Sequence, residues 1–327
     1  MENAVADRLH VLINRDAGSC NAAALTLLER RAAAGLLTLH KVDQAEAVRD
    51  LAASLAGRLD ADAVVAGAGG DGTASLTAQG LFRALEGRSP EKGPAFGIVP
   101  LGTANDTARG LGLPLELEAV LTLLGRPPRT RPLDLLRCRW WGADGGGGDA
   151  AAGERVVLNA ASGGFVGELH EVLNDDLKQA WGGLVYVRAG AEVLHDAGNH
   201  SIEATLDGVT DPRMGRAALV LVNNGPRAGG QMVQPEASMW DGLMDAVFVD
   251  AQTVAERLRA VAAAVMHRLS GGGVEGAADH AARVRRFELV CSPAMSWLAD
   301  GEPLGDAARV ELEVLPAALR VVVPKEQ

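Results

Sequence analysis

Four short segments carry side chains whose types and spacing suit chemistry. Gly69-Gly70-Asp71-Gly72-Thr73 follows an apolar run and precedes a helical stretch. Its glycines permit tight turns and leave space for a phosphate, and a helix starting near Thr73 adds free N–H groups and a favourable dipole. An aspartate inside such a cradle repels a phosphate unless a cation or a donor network is present, which favours a magnesium-dependent role. The dinucleotide spacing G-x-G-x-x-G is not met, because positions 70, 72 and 75 read Gly, Gly, Ser. A plain strand-to-helix turn is the alternative. Pro100 to Asp106 adds Gly102, Thr103, Asn105 and a second carboxylate, Asp106. Asp134 follows a proline-rich stretch. Asp71, Asp106 and Asp134 would jointly hold a hydrated magnesium ion, or Asp134 is only a strand-end carboxylate. In Asp300-Gly301-Glu302, one acid would take a proton from a hydroxyl while the other orients it or binds metal. The alternative there is a D-G turn between two strands.

The elements that must position these segments are legible as alternating patterns. Strands are expected at 9–13, 36–40, 61–66 and 95–99, and helices at 21–34, 45–58, 73–85 and 115–124, with Asp43 a candidate helix cap. That β-α-β-α order argues for a parallel sheet covered by helices, and both glycine-bearing segments fall at strand C-terminal ends, where open α/β sheets bind ligands. Residues 125–132, GRPPRTRP, read as a linker. Beyond them, strands are expected at 155–159, 201–206, 217–223, 245–249, 283–290 and 310–315, with helices at 184–194 and 254–269. The second half is therefore expected to be dominated by antiparallel strands. Residues 141–153 are expected to be a mobile hairpin tip or loop.

Composition bounds the partners. The 327 residues suggest two domains, and 48 % hydrophobic content is ample for a core. Lys plus Arg number 31 against 42 Asp plus Glu, a net charge of −11. Residues 1–140 hold 16 of each sign, so residues 141–327 hold 15 against 26 and account for the whole imbalance. This argues against nucleic-acid binding through bulk charge and against attachment to an anionic membrane by basic charge alone, and leaves a local basic patch open, because net charge is only a sum. Cys20, Cys138 and Cys291 form neither a disulfide framework nor a C-x-x-C site, and a reduced compartment is the natural reading. The N-terminus lacks a signal-peptide pattern, and no run reaches 18 apolar residues, so a cytoplasmic protein is expected.

GGDGT at 69–73, PLGTANDTAR at 100–109 and DGE at 300–302 resemble the diacylglycerol kinase catalytic-domain family, which includes bacterial lipid kinases and the sphingosine and ceramide kinases. Asn14 and Gly18 resemble its first loop, and residues 229–249 resemble its G-G…P-x-A…D-G-x-x-D signature. The resemblance implies a Rossmann-like N-terminal domain with a parallel sheet, residues 1–128, and a C-terminal antiparallel β-sandwich, residues 129–327. The active site would lie in the cleft, and a last strand near 320–324 would return to the first domain. It further implies ATP and Mg²⁺ as cofactors. Asn14, Gly18, Gly69, Gly70, Gly72, Thr73, Gly102, Thr103 and Asn105 would surround the phosphates, and Asp71, Asp106 and Asp134 would form the acidic network at magnesium. Asp300 would be the general base on a lipid hydroxyl, assisted by Glu302, and Asp241 and Asp245 would mark a second metal position. The expected partners are ATP and a membrane-derived lipid, with transient membrane contact. Diacylglycerol is the first expected acceptor; sphingoid bases, ceramide and a homodimer stay open.

The chain departs from the family pattern at Arg15 and Asp16 in the first loop, at Val42 and Asp43, and at Ala74-Ser75-Leu76 after GGDGT, where Asn and Glu are usual. Two rivals follow. An NAD kinase-like enzyme shares GGDGT, but PLGTANDTAR and the late DGE look like the lipid kinases, and Asn223-Asn224 is not the N-E pair of NAD kinases. A nucleotide-binding sensor or scaffold without catalysis would explain Ser75-Leu76. An apolar lipid site would draw on Phe165, Val166, Leu169, Trp181, Leu184, Tyr186 and Val187.

Overall fold

A computed structural model of the protein describes residues 8–15, 22–143, 150–164, 200–211, 215–250 and 280–325. Its contacts divide the chain into two units. Unit 1 is Met1–Leu135, Met239–Gly242 and Leu315–Gln327; unit 2 is Leu136–Ser238 and Leu243–Val314.

Unit 1 is built on β1 (Leu9–Asn14), β2 (Thr38–Val42), β3 (Val64–Gly69) and β4 (Ala95–Pro100). Parallel pairing gives the order β2-β1-β3-β4. The chain thus builds outward from β1 first in one direction and then in the other, and the switch point lies between β1 and β3. The helices are α1 (Ala22–Ala33), α2 (Ala45–Ala56), α3 (Asp71–Leu85), α4 (Asp106–Gly110) and α5 (Leu117–Leu124). Helix α2 buries Val48, Ala52, Leu55 and Ala56, an i, i+4, i+7 stripe. Its N-cap is Gln44, not the expected Asp43, and no side chain caps it. Helix α3 packs close to α2 because Gly80 lacks a Cβ: one placed there would collide with the Arg49 carbonyl and lie 2.8 Å from Ala52 Cβ. The core gathers Val11, Ile13, Leu28, Val64, Ala66, Val99 and Leu121.

Two long strands run from one unit into the other along the chain. Strand β5 (Thr130–Gly142) starts inside the expected linker, so the break is confined to residues 125–129. Unit 2 then contains β6 (Gly153–Val157), β7 (Ala160–Gly164), β8 (His200–Leu206), β9 (Val209–Thr210), β10 (Arg216–Ala217), β11 (Leu219–Asn223), β12 (Arg227–Ala228), β13 (Gln231–Met232), β14 (Met244–Val249), β15 (His280–Val284) and β16 (Arg286–Ala299). Strand β17 (Glu302–Val322) begins there, and its end pairs parallel with β4 in unit 1, Val321 opposite Phe96. Arg320 fixes that end by donating to the carbonyls of Ala61, Pro90 and Gly93 at 2.8, 3.1 and 2.7 Å. In unit 2 the order β15-β14-β11-β7-β16 is antiparallel throughout. Its core holds Val220, Val222, Phe248, Phe287, Leu289 and Trp297. This mixture of a parallel N-terminal sheet and an antiparallel C-terminal one is the expected fold class.

The expected helices at 184–194 and 254–269 and the seven apolar candidates between Phe165 and Val187 lie outside the described residues. Among the described residues no helix is long and apolar enough to cross a membrane. Cys138 and Cys291 are free and buried. Burial pushes the Cys138 thiol up to about 12 and that of Cys291 up to about 11, so neither is a ready nucleophile.

Candidate functional site

In unit 1 the loops after β3 and β4 lie side by side. The strand pairing continues one step beyond their ends, where Leu101 N–H donates to the Gly69 carbonyl at 2.8 Å. A Cβ on Gly102 would come within 2.5 Å of Gly70 Cα, so this backbone approach requires glycine. Asn105 shapes the second loop. It adopts a left-handed backbone, φ 50°, and its side chain closes on Gly102 from both sides. Its Oδ1 accepts from Gly102 N–H at 3.0 Å, and its Nδ2 donates to the Gly102 carbonyl at 2.6 Å. Asn105 is therefore a loop-forming residue, and exposed Thr103 stands at the tip.

Helix α3 begins at Asp71 with Gly70 as its N-cap, and its first intrahelical bond runs from Ala74 N–H to the Gly70 carbonyl at 3.1 Å. The amides of residues 71–73 precede that bond, which is the donor set a phosphate uses. Thr73 packs its side chain against Gly69, where a Cβ would collide with it. Asn14, buried, ends β1 on the other side of the switch point. Gly18 lies outside the described residues.

The carboxylates separate into different jobs. Asp71 reaches across to the first turn of α4, accepting from Asp106 N–H at 3.1 Å and Thr107 N–H at 3.0 Å. One amide on each oxygen leaves acceptor capacity on both. Asp134 is 3 % exposed and ties three segments of unit 1 together. Its oxygens accept from Gly242 N–H and Ala317 N–H, both at 2.7 Å, and its own N–H donates to the Met239 carbonyl at 2.7 Å. Among the described residues no three His, Cys, Asp or Glu side chains converge as a metal cluster. Asp134 thus serves as a structural tie between segments of unit 1. Asp71 with neighbouring Asp106 suits magnesium, which commonly takes one or two carboxylates, substrate phosphates and water.

In unit 2, Asp300 and Gly301 have φ values of 49° and 82° and form the two-residue hairpin turn between β16 and β17. The turn reading of D-G is the observed one, and it aims the acid inward. The Asp300 carboxylate accepts three successive backbone amides, Leu158 at 2.7 Å on Oδ2 and Asn159 and Ala160 at 2.8 and 3.1 Å on Oδ1. Glu302 opens β17 as an exposed residue opposite Ala299. Two asparagines brace the same turn. Asn159 Nδ2 donates to the Arg227 carbonyl at 2.7 Å, and Asn224 Nδ2 donates to that of Leu158 at 2.8 Å.

Asn223, beside them, is fully buried, yet neither its Oδ1 nor its Nδ2 has a hydrogen-bond partner. Each buried group left so costs roughly 1–3 kcal/mol. Sequence reading passed over this residue as part of a pair that failed to match another family; the signal was an asparagine ending the run Leu219-Val-Leu-Val. Asp245 is buried and ion-paired with Arg283 at 3.3 Å, while Asp241 is exposed in the 239–242 segment of unit 1.

Two of the departures in the sequence meet each other. Arg15 Nε donates to Asp43 Oδ1 at 2.7 Å, and the pair is exposed. Ser75, buried in α3, accepts from Gln79 Nε2 at 2.9 Å.

Known proteins resemble the chain along most of its length. Residues 8–138 match the diacylglycerol kinase catalytic domain, and residues 161–323 match the YegS C-terminal NAD kinase beta sandwich-like domain. A probable lipid kinase YegS-like of Xanthomonas oryzae pv. oryzae (strain MAFF 311018) is 34 % identical over 266 residues, covering 80 % of this chain and 79 % of that one. A probable lipid kinase YegS-like of Pseudomonas aeruginosa (strain UCBPP-PA14) is 30 % identical over 319 residues, 97 % of this chain and 94 % of that one. In fold, the chain is similar to the solved structure of a putative diacylglycerol kinase from Bacillus anthracis str. Sterne, with a TM-score of 0.71 and 21 % identity over 97 % of each chain. The chain belongs to the diacylglycerol kinase catalytic-domain family, the YegS-like lipid kinases, phosphotransferases that act on a lipid hydroxyl.

Proposed function

We propose that the chain transfers the γ-phosphate of ATP to the hydroxyl of a neutral lipid, diacylglycerol first, in a magnesium-dependent reaction. Unit 1 is read as the nucleotide domain and unit 2 as the lipid domain. The observation that carries this reading is the pair of glycine loops after β3 and β4, held side by side next to the first turn of α3. Gly69, Gly70, Gly72 and Thr73 with Gly102 would line the phosphates, and Asp71 with Asp106 would hold the metal, whose charge would stabilise the transferred group.

Asp300 would accept the proton of the lipid hydroxyl. The hydroxyl oxygen forms the new bond to Pγ, the bond from Pγ to the β–γ bridging oxygen breaks, and ADP leaves. Phosphoryl transfer through a loose transition state asks more for positioning than for a strong base. A carboxylate fixed by three amides suits that task.

The test is transfer of radiolabelled γ-phosphate from ATP-Mg²⁺ to a panel of micellar lipids, with NAD as a parallel acceptor. Labelled lipid, lost by about 10²–10⁴-fold in Asp300→Ala, is expected. Label on NAD alone, or on no acceptor while ATP binds, would overturn the reading.

A further inference from the structure

The glycine loops occupy one edge of the unit 1 sheet, where β3 and β4 end. At the opposite edge, where β1 and β3 begin, lies a cavity of about 510 Å³, lined among others by Arg8, Arg58, Asp60, Asp62, Pro127 and Pro128, all of unit 1. Strands of six residues hold the two edges about 20 Å apart, so both can be filled at once.

The cavity holds two cations and two anions that do not satisfy one another. Among the described residues, none of the four forms an ion pair. Both guanidinium groups are instead held by neutral groups. Half-buried Arg8 donates from Nη2 to the Gly125 carbonyl at the end of α5, and its Nε is buried with no hydrogen-bond partner. Arg58 donates from Nε to the Ser54 carbonyl at 3.1 Å and from Nη2 to Ser54 Oγ at 2.9 Å. Asp60 Oδ1 accepts from Asp62 N–H at 3.1 Å, while the Asp62 carboxylate accepts no hydrogen bond among the described residues. Pro127 and Pro128 give one wall a stiff backbone. Exposed Arg126 and Arg129 flank them, also without ion pairs among the described residues, so the rim is positive. A charge withdrawn from water is ordinarily neutralised by a partner. Here the cations and the carboxylates stand fixed and open in one place.

We propose that this cavity binds a small zwitterion with a phosphate at one end and a primary ammonium at the other, of the phosphoethanolamine type, either free or as a lipid headgroup. Guanidinium forks match phosphate oxygens, and Arg8 Nε gains the acceptor it lacks. An ammonium brings three donors and no acceptor, which suits the carboxylates of Asp60 and Asp62. An anion alone would meet those two carboxylates, and a cation alone would meet the two arginines. Because the rim adds Arg126 and Arg129, the phosphate end contributes more than the ammonium end. The site is separate from the phosphate loops and does not depend on the lipid-kinase reading.

The test titrates the full chain calorimetrically with phosphoethanolamine, inorganic phosphate and ethanolamine, in wild type, Arg58→Gln and Asp62→Asn. Both positions are exposed, so both variants should melt as wild type does. Phosphoethanolamine should bind at least about 10-fold tighter than phosphate, and phosphate tighter than ethanolamine. Each variant should weaken phosphoethanolamine at least about fivefold, and Asp62→Asn should leave phosphate no weaker. Affinity for ATP and any lipid phosphorylation should be unchanged in both. Phosphate held at the glycine loops is recognised by its survival in both variants. Flotation with phosphatidylcholine vesicles, with and without phosphatidylethanolamine, separates the sources, because a quaternary ammonium has no N–H to donate. Binding that needs phosphatidylethanolamine and is lost in both variants assigns a lipid headgroup; binding of the soluble compound alone assigns a free one. The proposal is overturned if neither form binds, if binding is unchanged in both variants, or if phosphate binds as tightly as phosphoethanolamine.

Discussion

Asp71 and Asp300 both stand before a glycine, and both spend their oxygens on backbone amides. The amides differ. Asp71 opens a helix in unit 1 and accepts two donors from the start of another helix. Asp300 lies inside a hairpin of unit 2 and accepts three consecutive donors from a single segment. One carboxylate bridges two helix ends and keeps capacity for a cation. The other is fixed at three points, so its position is set by the sheet. A phosphate site must adapt to a ligand that comes and goes, whereas a group that meets one hydroxyl gains from being placed once.

The sharpest way to break that contrast is to replace each acid by its amide. Asp300→Asn offers one oxygen where two are used and turns an N–H₂ towards N–H donors. We expect transfer to fall by about 10²–10⁴-fold, together with faster hydrogen exchange around residues 158–160. Asp71→Asn should act mainly through KM for ATP. Steady-state kinetics with exchange mass spectrometry separates the two, and an Asp300→Asn enzyme with near-normal kcat would show that the three-amide knot serves the fold alone.

Asp134 sharpens the comparison from the structural side. It resembles Asp300 in being held by backbone amides, yet the residues it joins belong to unit 1 only. Asp134→Ala removes the hydrogen bonds from Gly242 N–H and Ala317 N–H and should lower unfolding stability by roughly 1–3 kcal/mol in all. Affinity for ATP, measured under conditions where the variant is folded, should stay within about threefold. Loss of magnesium-dependent ATP binding without loss of stability would return Asp134 to the metal set.

These outcomes bear on what a sequence exposes. The parallel sheet of unit 1 was readable because Leu9–Asn14 and Ala95–Pro100 are short apolar runs separated by amphipathic helices. The two longest strands were readable only in part, at 286–290 and 310–315. Strand β16 carries Pro293 and the small residues around it, and β17 carries Gly305 and Pro316, which read as turns although the ladder continues through the irregularities. Ala160–Gly164 was missed because Ala-Ala-Ser-Gly-Gly has no strand signature and is held as a strand by its neighbours β11 and β16. At the site, glycine spacing located the loops. It did not show that Asp134 answers to Gly242 and Ala317, since that depends on segments more than a hundred residues away. Asn223 was invisible for a related reason: a missing partner is a property of the folded surroundings.

Acid should act on unit 1 through a pair of rings that has no role at the phosphate loops. His10 Nδ1 and His40 Nε2 are 3.0 Å apart with the rings stacked. Burial holds His40 below its ordinary value of 6.5, and the charges of His10 and Arg58 lower it further. The unfolded chain therefore binds the proton more readily. This contribution to stability is complete above about pH 6.5 and is lost as pH falls through the lower folded value. Protection factors in β1 and β2, taken relative to the intrinsic exchange rate at each pH, should fall on acidification across that window. His10→Phe should flatten the dependence only in part, because burial remains the larger cause. Unchanged protection factors from pH 7 to pH 5 would remove the pair from the account.

The smallest effect concerns two departures from the family pattern that answer each other. Arg15 follows β1 and Asp43 follows β2, and they form an ion pair with side chains 50 % and 58 % exposed. Exposed pairs are screened and contribute about 0.2–1 kcal/mol. Arg15→Ala and Asp43→Ala should each be mild, and the double variant should be less destabilised than their sum by an amount within that range. The coupling should shrink at high salt, because neither charge is shielded from ions. The pair also bears on ATP. If Asp43 occupies Arg15, freeing the guanidinium by Asp43→Ala beside the loop that follows β1 should tighten ATP binding by about two- to threefold at low salt. Weaker binding in Asp43→Ala would mean that the acid, and not the arginine, supports the nucleotide loop.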